Sequence, residues 1–179
     1  GLYFRRTQEA KVAAGARAEI VWAKTFHCHP KLIQAFAEKL APLAPGSQVL
    51  FTAHSLPEKA LERADPYDAE CRATAAAVAA RLGISDFDFA YQSQGLGGGQ
   101  WLGPTVESCL DRYAARGITS VALAPIGFVS DHVEVLYDVD ILFREYAAAR
   151  GIRLVRPESL NGSPHLTAAL AEVAAQCLA

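Results

Sequence analysis

Apolar and polar positions follow two rhythms along this chain: short apolar runs, and longer stretches in which apolar residues return every three or four positions. The short runs are Ile20 to Phe26, Val49-Leu50-Phe51 within Ser47 to Ala53, Phe87 to Tyr91, Ser120 to Pro125 and Ile152 to Val155. Bounded by Gly, Pro and polar residues and rich in β-branched and aromatic side chains, they predict five strands, the most continuous of them buried on both faces of a parallel sheet. The longer stretches predict helices. Glu9 to Ala16 closes the first of these. Leu32, Ile33, Phe36 and Leu40 recur at helical spacing behind Pro30 until Pro42 and Pro45 stop the run. Asp68 to Leu82 is rich in alanine and ends at Gly83, and Pro104 to Arg116 is closed by Gly117. Glu134 to Ala149 and Pro164 to Cys177 complete the set. Strands alternating with helices through short links imply right-handed βαβ crossovers. The expected fold class is therefore α/β, a doubly wound parallel sheet with helices on both faces, forming a single domain over residues 1–179.

Composition narrows the function classes. With 179 residues, 51% of them hydrophobic, the chain can bury a full-sized core. Its net charge of −2 comes with Lys and Arg spread singly, so the concentrated basic patch of a nucleic-acid surface is missing. A small or membrane-borne organic ligand suits it better. Cys28, Cys71, Cys109 and Cys177 form no CxxC pair and read as free thiols in a reducing compartment. No apolar stretch approaches the roughly twenty residues of a membrane span and no signal peptide opens the chain, so the expected place is the cytoplasm, without membrane association. The chain has no methionine, even at position 1, which suggests a piece of a longer protein.

Two polar clusters stand just past apolar runs, where open α/β sheets keep their chemistry: His54-Ser55-Leu56-Pro57 and Asp131-His132-Val133-Glu134. An imidazole and a carboxylate brought together from two strand ends can bind a divalent metal or move protons. They are expected to face each other across a shared pocket. Asp131 is equally readable as the N-cap of the next helix, with Glu134 closing a capping box. Val135, Leu136 and Tyr137 follow Glu134 at once and would partly desolvate it. Asp138, one turn on, extends a possible line of carboxylates. Gly95 to Gly99 lacks the residues of a phosphate loop and reads as a mobile loop beside a cleft, followed by Trp101, which suits either a core or a ligand face. The side chains of His27, Cys28 and His29 splay apart at their spacing, and a structural role is preferred for them.

Taken together, His54-Ser55-Leu56-Pro57, Asp65-Pro66-Tyr67, Tyr91-Gln92-Ser93, Trp101-Leu102-Gly103-Pro104, Pro125 to Glu134 and Leu136-Tyr137-Asp138 resemble the ferrochelatase family in order and spacing. The resemblance runs from about Tyr3 to the C-terminus and corresponds to the second of that family's two similar α/β halves. The wording of Glu134 to Asp138 and of Arg156-Pro157-Glu158 looks closest to the bacterial branch that uses coproporphyrin III rather than protoporphyrin IX. What the resemblance implies is insertion of Fe2+ into a porphyrin, with His54 and Glu134 catalytic and Asp131 and His132 supporting Glu134. It further implies that Ser55, Tyr91, Trp101 and Phe128, with Asp131 and His132, border the porphyrin, and that His54, Glu134 and Asp138 handle the metal. Metal and porphyrin would be substrates, with no permanently bound cofactor and no iron–sulfur cluster, since Cys177 alone does not supply clustered cysteines. The partner implied is the family's other half. Alternatives are a cobalt chelatase acting on a reduced tetrapyrrole, and an inactive porphyrin-binding fragment.

Overall fold

The computed structural model describes residues 2–59, 65–95 and 99–178. Helix α1 covers Leu2–Ala13 and α2 Pro30–Leu40, followed by strand β1 (Gln48–His54), α3 (Tyr67–Leu82), β2 (Phe87–Gln92), α4 (Val106–Ala115) and β3 (Ser120–Pro125). Helix α5 starts as a π-helix over Glu134–Phe143 and finishes as an α-helix over Arg144–Ala148; β4 (Arg153–Val155) and α6 (Pro164–Leu178) complete the chain. All strand pairs are parallel, in the order β2-β1-β3-β4.

Successive side chains of β1 leave opposite faces, and each face has its own core. Val49, Phe51 and Ala53 pack with α2, α3 and α6 through residues such as Phe36, Val78 and Leu166. Leu50 points the other way, to Leu110, Tyr113, Val139 and Phe143 of α4 and α5. Burial on both faces is why the middle five residues of β1 are all buried. From β1 the chain crosses to β2 on one side and then to β3 on the other, so the carboxyl ends of β1 and β3 border the reversal point where such sheets form a crevice.

One predicted strand is absent. Ile20 to Phe26 joins no ladder; this segment lies instead against α3 and α6, where it lines a cavity with Tyr67, Glu70, Leu170 and Val173. Val21 and Trp22 are correspondingly exposed, with the Phe4 ring 4.3 Å from that of Trp22, while Phe26 packs onto the core. The π-helical winding of α5 is the second departure, since an ordinary α-helix was expected from Glu134 to Ala149. Leu96, Gly97 and Gly98, the centre of the predicted glycine loop, lie outside the described residues. Among the described residues no helix is long and apolar enough to cross a membrane.

Candidate active site at the β1 and β3 ends

His54 is the last residue of β1. Its Nδ1 lies 2.5 Å from the carbonyl oxygen of Ser55, which can only accept, so Nδ1 carries a proton and Nε2 is the ring nitrogen turned toward the site. That nitrogen stands 3.6 Å from Oε2 of Glu134, the first residue of α5. The sequence-predicted pair therefore meets, but in a different geometry from the one expected. At this separation no macrocycle fits between the two groups, so both lie on the same side of any flat ligand placed there. They sit on an open edge, with side chains 30% and 42% exposed. Glu134 is less desolvated than its neighbours suggested, because of these only Val135 is buried while Leu136 and Tyr137 are half-exposed.

The turn that brings Phe128 beside His54 requires glycine at 127. A Cβ there would lie 2.8 Å from the Cβ and 2.9 Å from the Cα of Ala53, and the Gly127 N–H donates to the Thr52 carbonyl across that approach. Phe128 consequently stands edge-on between two imidazoles, its centroid 6.3 Å from His54 and 4.4 Å from His132. His132 Nδ1 accepts the Glu134 backbone N–H at 3.3 Å, so in its neutral form the proton is on Nε2, which is buried without a partner among the described residues. Its visible work is to hold the first turn of α5.

Asp131 forms no capping box; the N-cap position belongs to Val133, which makes no side-chain cap bond. The carboxylate of Asp131 is taken up by Asn161 Nδ2 (2.9 Å) and Arg156 Nη1 (3.4 Å), and its backbone N–H donates to Asn161 Oδ1 at 2.9 Å. Hydrogen bonds from Asn161 and then Ser159, with the nearby Arg156 charge, hold this carboxyl below its ordinary range.

Two residues expected to border a ligand are turned inward. Ser55 is fully buried, its N–H bonded to the Gln92 carbonyl and its hydroxyl to that of Leu102. Tyr91 is 1% exposed, its hydroxyl donating to Asp68 and its ring beneath Arg72. Both shape the site from behind. Trp101 is half-buried, and its ring edge occupies the space a Cβ on Gly95 would need. The strand-like bonds Leu102 N–H to Leu56 O and Glu58 N–H to Gln100 O fasten its segment to the loop after His54. Asp138 bonds the Ser93 hydroxyl and borders a separate cavity of about 440 Å3 with Gln92, Gln94, Thr105 and Glu107, so it does not join the His54–Glu134 contact. Among the described residues, no three His, Cys, Asp or Glu side chains gather as a metal cluster.

His27 faces Thr25 and Glu70, whereas His29 caps α2 through its Nδ1 and reaches Glu172, so the two imidazoles do diverge. Sequence reasoning quoted Tyr67 and Arg156 within motifs without giving either a role, and passed over Asn161. The Tyr67 hydroxyl donates to the His54 carbonyl at 3.0 Å, and burial together with Cys71 pushes its pKa well up. Tyr67 also lines a cavity of about 450 Å3 that extends to Gly127 and Val129 behind the site. The one local signal for Asn161 was its place before a glycine, in keeping with its positive φ of 45°.

The ferrochelatase family model matches residues 1–178. Curated relatives of that name are 41% identical in Acidobacterium capsulatum, 38% in Thermus thermophilus and 35% in a Geobacter species, covering 97%, 80% and 89% of this chain. They are covered in turn over 60%, 47% and 52% of their own lengths, so the chain spans about half the length of the curated relatives it matches.

Proposed function

The chain belongs to the ferrochelatase family, and from that premise we propose that it carries the metal-inserting residues of an enzyme that puts Fe2+ into a porphyrin in heme synthesis. The observation that carries this reading is the 3.6 Å approach of His54 Nε2 to Glu134 with Nδ1 tied to a carbonyl. An imidazole nitrogen facing a carboxylate oxygen offers two electron-rich atoms to whatever lies between them, and the two natural occupants are a proton and a divalent cation. Insertion needs both in turn. The macrocycle gives up two pyrrole protons as the cation, shed of its water, takes four ring nitrogens; His54 Nε2 accepts them one after the other, and Glu134 takes each from it and passes it to solvent, which readies His54 for the second. A mixed imidazole and carboxylate pair suits a borderline cation that has to be released.

Phe128 stands beside His54 as the apolar surface nearest the reacting face, and the family's other half supplies the opposite wall. Metal and porphyrin are substrates in this scheme, and no resident cofactor takes part. The wording of Glu134 to Asp138 and of Arg156 to Glu158 supports coproporphyrin III over protoporphyrin IX as the macrocycle, and the cytoplasm is the corresponding place of action.

Anaerobic assays of the full-length protein with porphyrin and Fe2+ test the reading. His54→Ala is expected to keep porphyrin binding, seen as a Soret shift, and to lose metallation by about two orders of magnitude or more; Glu134→Gln should behave alike. Near-normal turnover in either variant would refute the assigned role. A Soret shift with no metallated spectrum from the unmodified protein would make it a binding module instead, and activity confined to Co2+ with a reduced tetrapyrrole would make it a cobalt chelatase.

A further inference from the structure

We infer that Arg156 and Asn161, both beyond β4, are positioning residues that aim Glu134 at His54 by clamping the chain on either side of it. This rests on the reading of Glu134 given above. The Arg156 side chain is 9% exposed and its guanidinium is divided between two carboxylates. Nε and Nη2 grip Asp140 as a fork, at 2.9 and 2.7 Å, while Nη1 reaches Asp131 at 3.4 Å, the Pro157 carbonyl at 3.0 Å and the Ser159 hydroxyl at 3.4 Å. Asp131 lies three residues before Glu134 and Asp140 six after it.

Asn161 doubles the hold on the first of these. Its amide group pairs with both the backbone N–H and the carboxylate of Asp131, and its own N–H donates to the Val129 carbonyl. It does this from a left-handed backbone, φ 45°, which Asn tolerates better than most residues. The loop pinned in this way runs directly into His132, whose ring nitrogen takes the Glu134 N–H.

The fork on Asp140 acts by a second route. Asp140 is inside the π-helical part of α5. Wide i→i+5 turns are rarely kept without outside support, and return to i→i+4 winding would rotate Glu134 relative to Asp140 by roughly a quarter-turn or more. With Asp140 tied to Arg156, the winding and hence the direction of the Glu134 side chain are set. Stability alone is a poor reason to keep such an arginine, because a nearly buried ion pair is often matched or bettered by apolar packing.

The test is a double-mutant cycle in the full-length protein. Arg156→Gln is expected to lower kcat for metal insertion by about 30- to 100-fold with the porphyrin KM changed by less than about threefold, and in a Glu134→Gln background to cost less than about threefold more. Arg156→Lys, which cannot form the fork, should recover only a small part, and Asn161→Ala should lose about tenfold. A folded Arg156→Gln protein with turnover within about twofold of the parent, or losses that simply multiply with those of Glu134→Gln, overturns the clamp. Should Arg156→Gln not fold, Asp140→Asn removes the charge of the fork's acceptor and is read by the same criteria. Failure of the underlying reading looks different: Glu134→Gln itself would then turn over normally, whereas failure of the clamp alone leaves Glu134→Gln impaired and Arg156→Gln active.

Discussion

The two loops that meet at the site are held in opposite ways. The one after β1 is fixed by neutral hydrogen bonds that continue from the sheet: Ser55 hangs from the Gln92 and Leu102 carbonyls, and the Tyr67 hydroxyl holds the carbonyl of His54 itself. The one after β3 is fixed mainly through its Asp131 carboxylate, held by the Arg156 charge and the Asn161 amide, twenty-five and thirty residues on. An extension of the sheet's own hydrogen-bond ladder has little freedom to move, whereas a loop tied by side chains is as well placed as those side chains allow. The comparison assigns His54 to the rigid frame and Glu134 to the adjustable part.

The strongest way to break this contrast is at the point where the exit from β3 meets β1 by backbone. Gly127→Ala puts a methyl group 2.8 to 2.9 Å from Ala53 on β1, and the nearest obstacles include a backbone atom that cannot rotate away. A loss of about 2–3 kcal/mol is expected from denaturant melts, together with displacement of Phe128 from His54. A melt unchanged by this substitution would mean that the β3 exit is free to retreat, contrary to the close packing described. Ser55→Ala is the next in size. It leaves the buried Leu102 carbonyl without its donor, which costs about 1–3 kcal/mol, and because the donor belongs to the frame, metallation should fall along with stability. Arg156→Gln is the informative counterpart, since there activity should fall further than stability does. Equal ratios of the two losses in both variants would erase the distinction between frame and clamp.

The contrast also explains what the amino-acid sequence makes legible. Strands β1 to β4 and the helices between them were readable because each lies in a βα repeat and carries its own apolar pattern. His54 and Glu134 were readable because strand ends in an open sheet converge whatever the loops contain. Ile20 to Phe26 was misread as a strand because local composition cannot report that the segment packs against α3 and α6 and not along an edge of the sheet. The π-winding of α5 was invisible, since the apolar spacing of Val135, Val139 and Phe143 fits an α-helix as well. Asp131 was read as a cap or a site residue for a related reason: its partners, Arg156 and Asn161, are far away in sequence, and no local motif announces them.

pH should separate the two loops with the smallest perturbation and no mutation. Asp131 has its pKa lowered in the folded protein, chiefly by the Asn161 bond, so the folded state binds the proton less readily than the unfolded chain does. Its contribution to stability is present above the ordinary Asp value of about 3.8 and is lost as pH falls through the depressed folded value. Tyr67 goes the other way. Burial and Cys71 raise its pKa above the ordinary 10.0, so its contribution is complete below that pH and is lost as pH rises through the folded value. Acid should therefore loosen the β3 loop first and alkali the β1 loop. Amide hydrogen exchange at Val129 to His132 and at Ser55 to Leu56, corrected for the intrinsic pH dependence of exchange, can follow the two separately. Asn161→Ala should remove most of the acid sensitivity and leave the alkaline limb, and Tyr67→Phe should do the reverse. If both segments open together at either extreme, the loops form one cooperative unit, and the division between a neutral frame and a charged clamp does not describe this site.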